Sequence, residues 1–360
     1  MYPVSVCIIT KNEENKLPRL LESLSPYLFE IVVVDTGSTD HTVELAKKYG
    51  AKVFSFSWCD DFAAARDYSL SCATNNWILM MDSDEWISSI DLEEMDYFRK
   101  HLGDKAGSVS RINLLGTPDN LTGKTVDYTE RFFDRRRFHY TGRIHEQLTP
   151  KFGTGLDTLL MNITIMHDGY LMTARQRVLK GQRNIELLKK ELSDNPESPY
   201  LHYQLGKGYE IISDHLSALG SFCKALSYPI DFSLAYGEDL ALSFLREMTA
   251  LYPDFGTLTD ECVRLFTAFI SSWNELFADF ADFQYTLGQL ALKEENFENA
   301  LDRFEASLQC SREKTAGASS YLPYFEIGKL LLLIGEKEEA IRYFSLCQDY
   351  APAKSLLSEL

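Results

Sequence analysis

The sequence has no CxxC pair, no long apolar run and too few cations for its acids. Its seven cysteines (Cys7, Cys59, Cys72, Cys223, Cys262, Cys310 and Cys347) are scattered and odd in number. That excludes a disulfide framework and a cysteine zinc site, and it reads as free thiols or small buried hydrophobes in a reducing compartment. No stretch approaches the ~20 apolar residues that span a bilayer; the richest run is Leu330–Ile334. The opening MYPVSVCIITKNEE has neither the basic leader nor the apolar centre of a signal peptide. A cytoplasmic protein with no transmembrane segment is the expectation, and there the acceptor-like triplets Asn120-Leu-Thr and Asn162-Ile-Thr carry no meaning. Lysine plus arginine number 36 against 53 aspartate plus glutamate, a formal charge of −17. Such a field repels polyanions, so no nucleic-acid partner is expected. What remains is ordinary: 45% hydrophobic and 25% charged over 360 residues, enough for two domains of about 150 residues.

The two halves have different periods. Val4–Thr10 (VSVCIIT) and Ile31–Asp35 (IVVVD) are continuous apolar runs ending in polar residues, the pattern of parallel strands covered on both faces. Ala51–Phe56 and Trp77–Met81 supply two more strands. Helices are expected over Asn12–Leu24, Thr39–Tyr49 and Phe62–Ala73, the second closed by Gly50. The order βαβαβαβ implies an α/β domain with a doubly wound, mostly parallel sheet, whose ligands gather at the carboxyl ends of the strands. From about residue 173 the pattern is helical and repeats: Leu205-Gly206, Ala218, Phe222 returns as Leu287-Gly288, Ala300, Phe304 and as Ile327-Gly328, Ala340, Phe344. These positions resemble the tetratricopeptide repeat, in which stacked helix pairs leave a concave face open. The expected division is therefore 1–172 and 173–360, the second part all-α, with Phe232–Trp273 helical but of no fixed register. The aromatic stretch Phe266–Tyr285 fits a helical core better than a binding face.

The polar residues of chemical interest follow the strands. Asp82-Ser83-Asp84 places two carboxylates after a buried strand, where a hard divalent cation bridges carboxylates to a diphosphate; in an ordinary turn the same residues need no such role. Asp35 ends the second strand, where a carboxylate accepts from a nucleobase N–H, and Gly37-Ser38-Thr39-Asp40 leads into a helix whose amides favour an anion or simply need a cap. Thr10, Asn12 and Glu13 line the first strand end, for base or ribose or again as a cap. Arg131-Phe-Phe-Asp-Arg-Arg-Arg is the least expected feature in so acidic a chain, and it suits phosphate oxygens or guards an edge strand. A lone histidine, His167, ends the run Ile163–His167, where a structural role is as natural as a ligand role.

TKNEE, VVVDTGSTDHT, DFAAARDYSL and WILMMDSDE, in this order, resemble the inverting glycosyltransferases of family 2 over roughly residues 4–170. The resemblance implies a GT-A fold and a nucleotide sugar held by Thr10, Asn12, Glu13, Asp35, Arg66, Asp82 and Ser83. It also implies a Mn²⁺ or Mg²⁺ cofactor on Asp84, with His167 completing the metal sphere. Uridine diphosphate is the nucleotide by family usage. The family's ARN is Ala65-Arg66-Asp67 here, which leaves position 67 without an assigned role. The later Gly142-Arg-Ile-His-Glu146 is similar to a stretch on the acceptor side of related enzymes. The general base expected there is Glu146, with His145 as its substitute or partner and Asp134 as a competitor. A transferase domain followed by tetratricopeptide-like helices is similar to peptide S-glycosyltransferases, and DFAAAR with GRIHE is similar to transferases of cell-envelope glycans. The expected acceptor is thus a peptide, protein or glycan, and a homodimer through the helical domain is a further expectation. A competing reading makes the chain an inactive scaffold whose repeats bind a partner peptide.

Overall fold

A computed structural model describes residues 2–153, 155–232 and 234–360. The chain divides into two compact units, Met1–Glu191 and Leu192–Leu360. Among the described residues no helix is long and apolar enough to cross a membrane.

The first unit alternates strands and helices as far as β4: β1 (Val4–Thr10), α1 (Leu17–Leu24), β2 (Glu30–Asp35), α2 (Thr42–Lys48), β3 (Lys52–Ser55), α3 (Phe62–Cys72) and β4 (Trp77–Asp82). It continues with β5 (Glu85–Ile90), α4 (Leu92–His101), β6 (Ala106–Thr117), β7 (Asn120–Asp134), β8 (Phe138–Thr141), β9 (Gln147–Pro150), β10 (Thr158–His167) and α5 (Ala174–Asp194). Eight strands form one mixed sheet in the order β3-β2-β1-β4-β7-β6-β10-β5, and β8 and β9 pair apart from it. The expected α/β architecture is present. All seven residues of β1 are buried, and their alternation explains why the run is continuously apolar. Val4, Val6 and Ile8 face Leu17, Leu20, Leu21 and Leu24 of α1. Cys7 and Ile9 face Ala63, Ala65 and Leu70 of α3. A strand with helices on both sides has no solvent face to make polar.

Two helices start later than their sequence pattern implies. Asn12 takes a left-handed φ of 55°, and residues 11–16 form a loop tied to the segment before α2. Asn12 N donates to Ser38 Oγ (2.8 Å), Glu13 N to Thr42 Oγ1 (2.8 Å), and Thr39 N to Asn12 Oδ1 (2.7 Å). Residues 38–40 serve that cross-loop junction, so α2 begins at Thr42.

The second unit is all helical: α6 (Pro199–Ile211), α7 (His215–Leu226), α8 (Ala235–Leu251), α9 (Thr259–Leu276), α10 (Ala281–Lys293), α11 (Phe297–Gln309), α12 (Tyr321–Leu333), α13 (Lys337–Leu346) and α14 (Ala351–Glu359). The repeat has a physical basis. Gly206, Gly288 and Gly328 each lie against the ring of the phenylalanine on the following helix, Phe222, Phe304 and Phe344, and all three rings are fully buried. The glycine lets the ring close onto the first helix of its pair. A Cβ at Gly328 would approach Phe344 Cε1 to 2.6 Å. Gly328→Ala should therefore cost about 1–3 kcal/mol through overpacking, despite alanine's better helix propensity, measured as a lower urea midpoint. The aromatic stretch is core: Trp273 is fully buried and packs on Phe232, Phe244, Phe269 and Phe283.

Candidate active site

Strand register brings the first three polar strand ends into one row. Thr10 lies opposite Asp35, and Ile9 opposite Asp82, at the carboxyl ends of β1, β2 and β4. Asp35 also has a local task, since its carboxylate accepts from the amides of Gly37 (3.1 Å) and Ser38 (3.1 Å). The buried Oγ1 of Thr10 has no hydrogen-bond partner. Ser83 is buried in the turn between β4 and β5.

The acidic turn is held from below by two buried arginines. Arg66 of α3 donates from Nη2 to Asp82 (2.8 Å) and from Nε to Glu146 (2.6 Å). Arg131 of β7 donates from one Nη2 to both Asp82 and Glu85, at 2.7 Å each. Glu85, fully buried, accepts from the Asp82 amide (2.8 Å) and so fixes the turn. Burial alone would raise the Asp82 carboxyl, but Arg131 and Arg66 outweigh it and hold it far below the usual range. At Glu85 burial prevails over Arg131 and its carboxyl is raised. Buried carboxylates of this kind persist only when paired. Arg66 Nη1 is also buried and without a partner, a donor left over for an anion. Asp67, the departure from ARN, accepts from the Tyr140 amide (2.9 Å) and thereby docks β8 on α3.

Asp84 projects from the same turn. Its Oδ2 lies 3.5 Å from His167 Nε2 at the end of β10. The other imidazole nitrogen, Nδ1, is 2.7 Å from Asn113 Oδ1. Asn113 in turn donates to Asp127 (3.1 Å), on which Arg111 forks (2.9 and 2.8 Å). With the amide oxygen of Asn113 as its neighbour, Nδ1 carries a hydrogen, and Nε2 is the ring nitrogen that faces Asp84. Burial raises the Asp84 carboxyl, and the adjacent His167 more than reverses this. Gly169 lies so close that a Cβ there would collide with His167 Nε2 and Asp84 Oδ2. Among the described residues no cluster of three or more such side chains forms a closed metal cage. One carboxylate and one imidazole, with no side chain on Gly169 to crowd them, suit a divalent cation that takes its other ligands from substrate oxygens and water. Gly169→Ala should spread this pair and weaken Mn²⁺ affinity about 10–100-fold, as read by titration calorimetry.

Charges from other elements complete the cleft. Asp168 pairs with Lys16 (3.4 Å) and Arg19 (2.5 Å) of the first loop and α1, and its amide donates to Asp84 O (3.1 Å). Burial lifts the Glu13 carboxyl to about 7, with Lys16 opposing and Asp84 adding to it. A carboxyl raised in the folded state is uncharged at low pH and costs stability as pH climbs through its folded value. Glu13→Gln should thus be neutral near pH 4.5 and stabilising at pH 8, shown by melting temperature against pH. Lys180 of α5 is driven down by burial, with Asp84 opposing. His145 is exposed, with a left-handed φ of 52°, beside the Glu146 that Arg66 engages.

No motif in the sequence marks Glu85, Asn113 or Lys180, and Arg131 stands out only as part of a basic stretch. Other arginines of that stretch have local partners: Arg136 forks on Asp134, and Arg135 donates to Leu70 O; beyond it, Arg143 pairs with Glu191.

Residues 5–169 match the family model described as glycosyl transferase family 2. Over 216 residues the chain is 32% identical to a TPR repeat-containing protein of Synechococcus elongatus, covering 57% of this chain and 52% of that one. It is 26% identical over 239 residues to the SPbeta prophage-derived glycosyltransferase SunS of Bacillus subtilis, covering 62% and 54%. It is 37% identical over 186 residues to an uncharacterized glycosyltransferase of Rickettsia conorii, covering 41% and 66%. The chain thus spans about half the length of the first two relatives. Among solved structures it resembles S. aureus TarS 1-349 in complex with UDP-GlcNAc, at 14% identity and a TM-score of 0.37 over 84% of this chain and 89% of that one.

Proposed function

From the premise that residues 5–169 are a glycosyl transferase family 2 domain, we propose that the protein moves a sugar from a uridine diphosphate donor to an acceptor hydroxyl or thiol, with inversion. The observation that carries this reading is the row of Thr10, Asp35 and Asp82 at adjoining strand ends, with Arg66, Asp84 and Glu146 bound to or beside it. In this reading Thr10, Asn12, Glu13 and Asp35 hold the nucleoside. Asp82 and Ser83 shape the turn beneath the diphosphate, and Arg66, through its unpartnered Nη1, donates to a phosphate oxygen.

Asp84 and His167 would hold Mn²⁺ or Mg²⁺, which when bound neutralises charge on the departing diphosphate. Glu146 accepts the acceptor's proton at Oε2 while Arg66 fixes Oε1, and His145 stands next to it. The deprotonated acceptor attacks the anomeric carbon from the face opposite the diphosphate, so the C–O bond to the nucleotide breaks as the new bond forms. No covalent enzyme intermediate is involved. The tetratricopeptide-like helices favour a peptide or protein acceptor over a free glycan, and a homodimer through them belongs to the same proposal. The test is a screen of nucleotide sugars for hydrolysis, followed by mass spectrometry of acceptors with the active donor. Hydrolysis of a uridine-linked sugar above the chemical background supports the reading. A chain inert toward every nucleotide sugar and unable to bind the nucleotide would be the scaffold instead.

A further inference from the structure

The arginine run is a functional signal that the strand-end site does not absorb. Arg135, Arg136 and Arg137 form the turn between β7 and β8. Asp134, just before them, pairs with Trp77 at the start of β4, whereas the acidic centre begins at Asp82, at that strand's other end. The length of β4 between them is roughly 17 Å at about 3.3 Å per residue.

At this turn an open cavity of about 730 Å³ is lined by Arg135, Arg136, His139 and Lys151, with Asp67 and Ser71 among the facing residues. Arg136 is neutralised by Asp134. The other two cations are not. Arg135 Nη1 donates to Leu70 O (2.8 Å), and Lys151 Nζ to Arg135 O (2.9 Å). These are carbonyl partners, and among the described residues neither cation has a carboxylate within ion-pair distance. Arg135 Nε and His139 Nδ1 are buried and have no hydrogen-bond partner. A buried polar nitrogen left unmade costs on the order of 1–3 kcal/mol, a cost that a ligand removes. The cavity is separate from the nucleotide cleft. Arg66 and Tyr140 stack together in the buried network, while their chain neighbours Asp67 and His139 line the cavity.

We propose that this cavity binds a phosphate monoester that also carries hydroxyl groups, such as a sugar phosphate. Two uncompensated cations match the double charge of a monoester, and the guanidinium and imidazole groups lining the cavity are of the kind that donate to its oxygens. Asp67, with Oδ1 taken by the Tyr140 amide, accepts from a ligand hydroxyl, and burial lifts its carboxyl, which softens repulsion of the anion.

The experiment is titration calorimetry of the full chain with glucose 6-phosphate, inorganic phosphate and glucose. Glucose 6-phosphate is expected to bind, inorganic phosphate to bind more weakly and glucose not at all. Lys151→Ala, at an exposed position, should weaken glucose 6-phosphate about tenfold or more, the factor expected for one charge-assisted contact. Arg135→Gln should do the same if it folds, and Lys151→Ala carries the test if it does not. Asp84→Asn, in the other site, should leave this affinity unchanged. Three results would overturn the proposal: no binding at millimolar glucose 6-phosphate, equal affinity in Lys151→Ala, or loss of affinity in Asp84→Asn. Inorganic phosphate binding as tightly as the sugar phosphate would overturn the part assigned to Asp67.

Discussion

Arg131→Ala should unfold about 3–5 kcal/mol more easily than the parent protein at neutral pH. Arg131 is buried and shares one nitrogen between Asp82 and Glu85; among the described residues, its loss leaves Asp82 to Arg66 alone and the fully buried Glu85 with only Arg111, at 3.6 Å. For a unit of this size that corresponds to a fall in melting temperature of roughly 6–20 °C. The pH dependence distinguishes this cause from a mere packing defect. In the parent, Asp82 is depressed, so its contribution is present above the unfolded carboxyl range and is lost as pH falls through the folded value. Glu85 is already raised by burial, and without Arg131 it rises further. A raised carboxyl costs stability above its folded value and recovers it on protonation. The deficit of Arg131→Ala should therefore be largest near pH 8 and shrink toward pH 5 in urea denaturation followed by circular dichroism. An equal deficit at both values would mean that the charges are not what the arginine is holding.

Asp84→Asn should lower kcat on the nucleotide sugar about 10²–10³-fold, the range seen when one electrostatic partner of a transition state is removed, with little change in melting temperature. Unlike Glu85, Asp84 is not fully buried, and among the described residues its one side-chain neighbour at ion-pair distance is His167. Asparagine keeps the shape and an oxygen but loses the charge that holds a divalent cation. Residual activity of the variant should be insensitive to chelator, whereas the parent's should collapse to the same level. Full activity in the variant would remove Asp84 from the mechanism.

Much of this is legible in the sequence. Continuous apolar runs in β1, β2 and β4 mean burial on both faces, and a polar residue ending each run then has to emerge at the sheet's carboxyl edge. That is enough to assemble Thr10, Asp35 and Asp82. The common spacing of Gly206/Phe222, Gly288/Phe304 and Gly328/Phe344 is a packing constraint written directly into sequence. The partners that fix the site were not legible. Glu85 reads as one more acid after the turn, and only the cross-sheet reach of Arg131, from a strand antiparallel to β4, gives it a role. Asn113 and Lys180 come from a strand and a helix with no motif of their own. The arginine run misleads because composition reveals a basic cluster but not which end of the sheet it occupies. The start of α1 was missed because Asn12 leaves the helical region to serve the neighbouring loop, a contact between residues far apart in the chain.

A nucleoside diphosphate and a divalent cation should share the strand-end cleft. Titration of UDP into the protein, with Mn²⁺ and again with chelator, tests this most directly. Binding that needs the metal and disappears in Asp84→Asn is the predicted result. Nucleotide affinity that is the same with chelator and in the variant, or absent at millimolar UDP with Mn²⁺, would contradict it.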